Sequence, residues 1–197
     1  MIPKVKICGI TNINDATEAI KFGADALGFV FYEKSPRYIS PKSAYEIVKK
    51  LPPFVEKVGL FVNKTANQIN KISKESAMTL AQIHFDAEAS LYDSLDLPHI
   101  KVIRATCRDD LDRYSDEYRL VDAFVEGFGG AGKRVDISWF DEVDCSRIIL
   151  AGGLDYHNLD EVKKYNFYGF DVSSGVEKAK GKKDTQKMEA FIRKVKY

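Results

Sequence analysis

The chain has 197 residues, 45% hydrophobic and 30% charged, with a formal net charge of +1, so residues 1–197 are expected to form a single soluble domain. The balanced charge gives no field for a polyanion, which sets nucleic acid aside as a partner, and no run reaches the roughly 18 apolar residues of a membrane span. With no signal-peptide core in residues 1–6, and with three widely spaced cysteines (Cys8, Cys107, Cys145) and three histidines, the expectation is a cytoplasmic protein without membrane association, disulfides or a metal site.

Short apolar runs alternate with amphipathic segments, the pattern of βα units. Residues 5–8 predict a first strand that ends on the lone thiol of Cys8. Ile13, Ala16, Ala19 and Ile20 then recur at helical spacing, and residues 26–31 read as a second buried strand. Ser40 and Pro41 offer an N-cap and a first-turn proline ahead of the stripe Ala44, Ile47, Val48 and Leu51, and Pro52-Pro53 ends that helix. Further strands are predicted at 55–62, 79–83, 100–104, 118–122, 147–150 and 169–172. The last helix sets Met188, Phe191, Ile192 and Val195 on one face behind a capping Asp184. The helical pattern is weakest after Ile83 and after Asp122, where short helices or irregular loops are expected. Eight strands with intervening helices predict an α/β fold, a compact (β/α)8 TIM barrel, at the short end of that architecture's range of about 200 residues and above. An open doubly wound sheet is the alternative.

The stretch Gly127-Phe128-Gly129-Gly130-Ala131-Gly132-Lys133 satisfies G-x-G-x-x-G and most of a Walker A pattern. Arg134 stands where a P-loop needs Ser or Thr, and little helical pattern follows Lys133-Arg134-Val135-Asp136, so nucleotide binding is set aside. A glycine loop that closes over an anion fits better. Two later turns, Ala151-Gly152-Gly153-Leu154 and Ser173-Ser174-Gly175, follow the seventh and eighth predicted strands. In barrels those positions often bind phosphate through unpaired N–H groups.

Cys8, Asp122, Asp171 and His84 are the acid–base candidates at strand ends. Each has a plainer reading: a small core hydrophobe for Cys8, a turn cap for Asp122, a wall residue for His84. A carboxylate on the apolar run Leu120-Val121-Asp122 is harder to dismiss, because burying it without a partner is costly. Arg37, in Ser35-Pro36-Arg37, can clamp a carboxylate.

Taken together these segments resemble the phosphoribosylanthranilate isomerase family of tryptophan biosynthesis over nearly the whole chain. The resemblance rests on seven blocks in the family's order: Lys6 to Thr11; Gly23 to Phe31 with Ser35-Pro36-Arg37; Lys57 to Asn63; Gln82-Ile83-His84; Gly129 to Lys133; Ala151 to Leu154; and Phe170 to Glu177. It implies a (β/α)8 barrel and an Amadori rearrangement of N-(5-phosphoribosyl)anthranilate to 1-(2-carboxyphenylamino)-1-deoxyribulose 5-phosphate. Cys8 would be the general base and Asp122 the general acid. Arg37, with His84 and Asp171, would contact the substrate, while Gly130, Gly152, Gly153, Ser173, Ser174 and Gly175 would bind its phosphate. The phosphoribosyl substrate would be the one small-molecule partner, with no metal or organic cofactor, in a monomer or homodimer. The mechanism asks the thiol pKa to fall from its ordinary ~8.5 and the aspartate pKa to rise from ~3.9.

The chain departs from the family pattern at Phe85-Asp86, where glycine usually follows the histidine, and at Ala123, where a small hydroxyl residue usually follows the aspartate. Two rival readings are the analogous aminoaldose–ketose isomerase of histidine biosynthesis and a non-catalytic phosphate-binding barrel. The first uses an aspartate base at the first strand and a half-chain repeat, whereas this chain has Cys8 and shows no such repeat.

Overall fold

A computed structural model describes residues 2–123 and 134–197. Its strands are β1 (Lys4–Cys8), β2 (Ala26–Val30), β3 (Glu56–Phe61), β4 (Leu80–Ile83), β5 (His99–Ala105), β6 (Arg119–Ala123), β7 (Ile148–Leu150) and β8 (Gly169–Val172). Among the described residues these eight pair in parallel and in chain order, and β8 returns to β1 to close a barrel. Each begins and ends within one residue of the predicted bounds. The closed barrel settles the choice against the open sheet.

The helices form for local reasons. In α1 (Ile13–Phe22), Asn12 caps by accepting from Asp15 N, and Gly23 ends it with φ 104°. Ser40 caps α2 (Pro41–Val48), with proline in its first turn. Thr65 and Gln68 form a capping box on α3 (Ala66–Ser76). In α6 (Thr185–Lys196), Asp184 accepts from Lys187 N and the predicted stripe Met188, Phe191, Ile192 and Val195 is buried. Among the described residues both segments of weak helical pattern carry only short elements: α4 (Ala89–Asp93) follows β4, and a 3-10 turn, Ile137–Phe140, precedes β7. After β7, α5 (Leu159–Lys163) is also short.

Two features escaped the sequence reading. The β5–β6 connection is another 3-10 turn, Arg108–Asp112, and buried Arg119 donates to the carbonyls of Leu111, Ser115 and Glu117 there. Between β8 and α6 lies a small antiparallel hairpin, β9 (Glu177–Ala179) with β10 (Lys182–Lys183).

Side chains alternate across each strand, so one set packs outward and the other fills the barrel. Ile7, Ala81, Ile83, Ile103, Val121, Leu150, Phe170 and Val172 belong to the outer core with the helices. Val102, Leu120 and Ala151, with Ile100 and Ile149, form a separate inner cluster. Towards the carboxyl ends of the strands the inward positions turn polar: Lys6, Cys8, Gln82, His84, Arg104, Asp122 and Asp171. No described helix is long and apolar enough to cross a membrane.

Candidate active site

The polar end of the barrel begins with β1, where Lys6 and Cys8 are two apart and share a face. Lys6 sits in register with Asp171 of β8, and its Nζ donates to Asp171 Oδ2 at 2.8 Å, both side chains 7% exposed. Cys8 is in register with Gly28 of β2. A Cβ at Gly28 would lie 2.8 Å from Cys8 Sγ and 3.0 Å from Lys6 Nζ, so the glycine makes room for both groups. Asp171 Oδ1 is buried with no hydrogen-bond partner among the described residues. A carboxylate oxygen in that state is a ready acceptor for a ligand N–H or O–H.

Across the mouth, Asp122 of β6 is in register with Arg104 of β5 and accepts a hydrogen bond from Ala123 N at 2.8 Å. Burial, with Asp171 second, pushes its carboxyl up to about 6, against the pull of Ala123 N–H, Arg104 and Lys6. This is the direction expected of an acid. His84 is buried just after β4, with Nε2 3.7 Å from Asp122 Oδ2 and Nδ1 3.4 Å from Gln82 Nε2. Burial, then Arg104 and Lys6, lowers its pKa to about 4, so the ring is neutral near pH 7. If Gln82 donates to Nδ1, the one ring proton lies on Nε2, facing Asp122.

The expected fall in the Cys8 pKa does not occur; the thiol is raised above its ordinary value. Burial pushes the thiol up and Asp171 adds to that, while Lys6 and Lys183 pull it down. A buried thiolate is costly, and the nearby cations offset only part of that cost.

Arg37, in the β2–α2 loop, is buried, but its fork is already engaged. Nε and Nη2 donate to Glu177 Oε1 and Oε2 at 2.8 and 2.7 Å, a bidentate pair that leaves Nη1 outside it. Glu177 Oε1 also accepts from Gly181 N and from Lys183 Nζ. Arg37 Cδ would clash at 2.6 Å with any Cβ on Gly9, whose φ is 80°.

The two late turns lie against each other. A Cβ on Gly175 would come within 1.9 Å of Leu154 O. Gly152 and Gly153 have φ of 86° and 62°, and Asn158 Nδ2 holds the Gly153 carbonyl. The amides of Gly152, Gly153, Ser174 and Gly175 donate to no acceptor among the described residues. Ser173 is differently placed, because its Oγ already donates to Cys8 O at 3.1 Å. Gly130 and the rest of the glycine-rich stretch through Lys133 lie outside the described residues.

Cys8, Asp122, His84, Asp171 and Arg37 thus share one end of the barrel with both turns. Lys6, Glu177 and Lys183 were missed. Lysine and glutamate read as solvated in sequence, and only the placement of Lys6 two residues before Cys8 on an apolar strand gave a signal. Among the described residues no group of three or more His, Cys, Asp or Glu could hold a metal ion.

Residues 5–194 match the family model for N-(5'phosphoribosyl)anthranilate (PRA) isomerase. The N-(5'-phosphoribosyl)anthranilate isomerase of Nitratiruptor sp. is 60% identical over 98% of this chain and 99% of its own length. The phosphoribosyl anthranilate isomerase structure from Thermotoga maritima superposes with a TM-score of 0.91 at 37% identity, and monomers generated from that dimeric enzyme with 0.86 at 34%, each covering 98% of both chains. A phosphoribosyl anthranilate isomerase in complex with reduced 1-(o-carboxyphenylamino)-1-deoxyribulose 5-phosphate superposes with a TM-score of 0.84 at 34% identity, over 98% of both chains.

Proposed function

The chain belongs to the phosphoribosylanthranilate isomerase family and carries out its isomerisation in tryptophan biosynthesis; we propose that Cys8 is the general base of the reaction and Asp122 the general acid. The observation that carries this assignment is the buried Lys6–Asp171 pair, which acts electrostatically on both Cys8 and Asp122.

Asp122, with a pKa of about 6, gives its proton to the furanose ring oxygen, and the C1′–O bond opens to a Schiff base at the anthranilate nitrogen. The Cys8 thiolate removes the C2′ proton, and the electron pair moves to give the enolamine. Tautomerisation places the carbonyl at C2′. The substrate is its own oxidant and reductant, since C2′ is oxidised as C1′ is reduced. The productive form pairs a thiolate with a protonated carboxyl, and the raised Cys8 pKa makes that form a minor one in the free enzyme.

Arg37 binds the anthranilate carboxylate through its free Nη1 end, and Asp171 Oδ1 accepts from the substrate amine or sugar hydroxyl. The unpaired amides of Gly152, Gly153, Ser174 and Gly175 hold the phosphate, joined by Gly130. His84 keeps a place in the substrate pocket, where its neutral ring also steadies Asp122. Ser173 serves the phosphate turn by tying it to β1.

The test is loss of anthranilate-type fluorescence when the purified protein meets freshly generated phosphoribosylanthranilate, with a folded Cys8→Ala variant alongside. Turnover by the parent and none by the variant is expected; turnover by both overturns the role given to Cys8.

The reading extends to assembly, as a homodimer in the cytoplasm. At the amino-terminal end of the barrel, Phe54 is 101% exposed beside a cavity of about 710 Å³ lined by Val55, Ile100, Tyr118, Ile149 and Tyr168. A knob and a hole on one face suit a two-fold pair, in which each chain fills the other.

A further inference from the structure

Behind Cys8 lies a cluster of buried ionic groups that the mechanism above does not fully use. Lys6 of β1 is paired with Asp171 of β8, and Arg37 of the β2–α2 loop is paired with Glu177 of β9. Each pair cancels. Lys183 of β10 remains. Its side chain is 0% exposed, and Nζ shares Glu177 Oε1 at 3.1 Å with Arg37 Nε and donates to Ser173 O at 3.1 Å. Ser173 in turn donates from Oγ to the carbonyl of Cys8. Across the mouth, Arg104 faces Asp122 in register and acts on it with opposite charge, and His84 is neutral. With Asp122 ionised the formal charges around the thiol sum to +1 and loss of the Cys8 proton brings them to zero; with Asp122 protonated, as in the productive form, the site keeps one further positive charge to offset the thiolate.

We propose that Lys183 is the positioning cation of the catalytic thiol: it supplies the unmatched buried positive charge that lets Cys8 ionise, held there by Glu177 and the Ser173 carbonyl. Burying a lysine on a carboxylate already satisfied by a bidentate arginine is a poor way to stabilise a fold, because desolvation of the extra ion is not repaid in full. The hairpin does not need that ammonium for its anchor. Lys183 N donates to Asp15 Oδ2 at 2.9 Å and Thr11 Oγ1 donates to Gly181 O at 2.6 Å, and neither bond involves the Lys183 side chain. The same excess charge favours a substrate with two anionic groups. Lys183 acts on the thiol through space, reaches only the Cys8 backbone carbonyl by way of Ser173, and touches no reacting atom.

The inference rests on Cys8 as the base, yet its test is separable from that reading. The pH dependence of Cys8 alkylation by iodoacetamide, followed peptide by peptide in a Cys107→Ser background, reads the thiol directly in the free enzyme. In Lys183→Met the alkylation midpoint is expected to rise by about one pH unit, and kcat/KM at neutral pH to fall about tenfold. Lys183→Arg, which keeps the charge, stays near the parent. Glu177→Gln removes an anion and moves the midpoint down. A folded Lys183→Met protein with the parental midpoint overturns the proposal, as does a shift in the same direction by Lys183→Met and Glu177→Gln, which is the mark of distortion. If Lys183→Met does not fold, Glu177→Gln decides, and a midpoint at or above the parent's is the overturning result. Activity in Cys8→Ala refutes the base assignment alone, since the alkylation midpoints do not depend on turnover.

Discussion

Asp122 is held in a protonation balance that folding itself must sustain. Its carboxyl is raised from an ordinary 3.8 to about 6, chiefly by burial. The folded state therefore binds its proton more tightly than the unfolded chain does. The resulting stability is fully present below about pH 4 and is lost as pH rises through about 6. At pH 7 the ionised carboxylate leaves the fold about 3 kcal/mol worse off than at low pH, at roughly 1.4 kcal/mol per pKa unit. Asp122→Asn removes this dependence. It is expected to be folded, without turnover, and more stable than the parent near neutral pH by about 2 to 3 kcal/mol, with the gain shrinking towards pH 4.5. Urea unfolding across that range checks the sign, and a difference that does not vary with pH contradicts the raised carboxyl. Strand-end position in the sequence was enough to place Asp122 and Cys8, with Asp171 and His84, at one end of the barrel, while the roles given to them came from the family resemblance. The direction of the Cys8 shift was not legible, because it depends on Asp171, Lys6 and Lys183 arriving from separate elements.

Among the elements, the turns after β7 and β8 work as one unit. Gly175 is the contact between them: its missing Cβ leaves the space that Leu154 O occupies. Gly175→Ala is therefore predicted to push the two turns apart, raising KM by tenfold or more through lost phosphate contacts. Its overall stability should fall by about 1 to 3 kcal/mol, as for other substitutions that overpack a close contact. Steady-state kinetics beside thermal unfolding separates the two effects, and an unchanged KM removes Gly175 from the phosphate site. The strands were readable because those of a parallel barrel are covered on both faces and appear as apolar runs bounded by turn residues. The β9–β10 hairpin was not. Its strands are three and two residues long, too short to carry a period, and its anchors on Thr11, Asp15 and Arg37 are remote in sequence. Of the shortened connections, only those after Ile83 and after Asp122 showed as weak pattern. The β5–β6 turn did not, because what holds it, the carbonyl-binding side chain of Arg119, is contributed by the next strand.

At the scale of the whole molecule the two ends of the barrel divide their labour. The carboxyl end gathers the ionic groups and the chemistry, while the amino-terminal end leaves Phe54 in solvent beside an apolar-walled cavity. A fully exposed phenylalanine contributes nothing by burial to its own fold, so its replacement should not weaken the isolated chain. In a two-fold pair it is buried twice, once in each partner's cavity, and the loss is doubled. Phe54→Glu adds a charge at the centre of that contact, which must be desolvated for the pair to form. Sedimentation velocity at micromolar concentration is expected to show a dimeric parent and a monomeric variant. The active-site end lies at the opposite mouth of the barrel, so kcat/KM should be nearly unchanged, while the melting temperature drops to that of the monomer and no longer depends on protein concentration. A monomeric parent, or a Phe54→Glu protein that remains dimeric, would place the pairing surface elsewhere and leave Phe54 without a partner. The separation of ends makes the outcome readable, because a loss of assembly that also abolished turnover would mean that the barrel mouth depends on its partner for its shape.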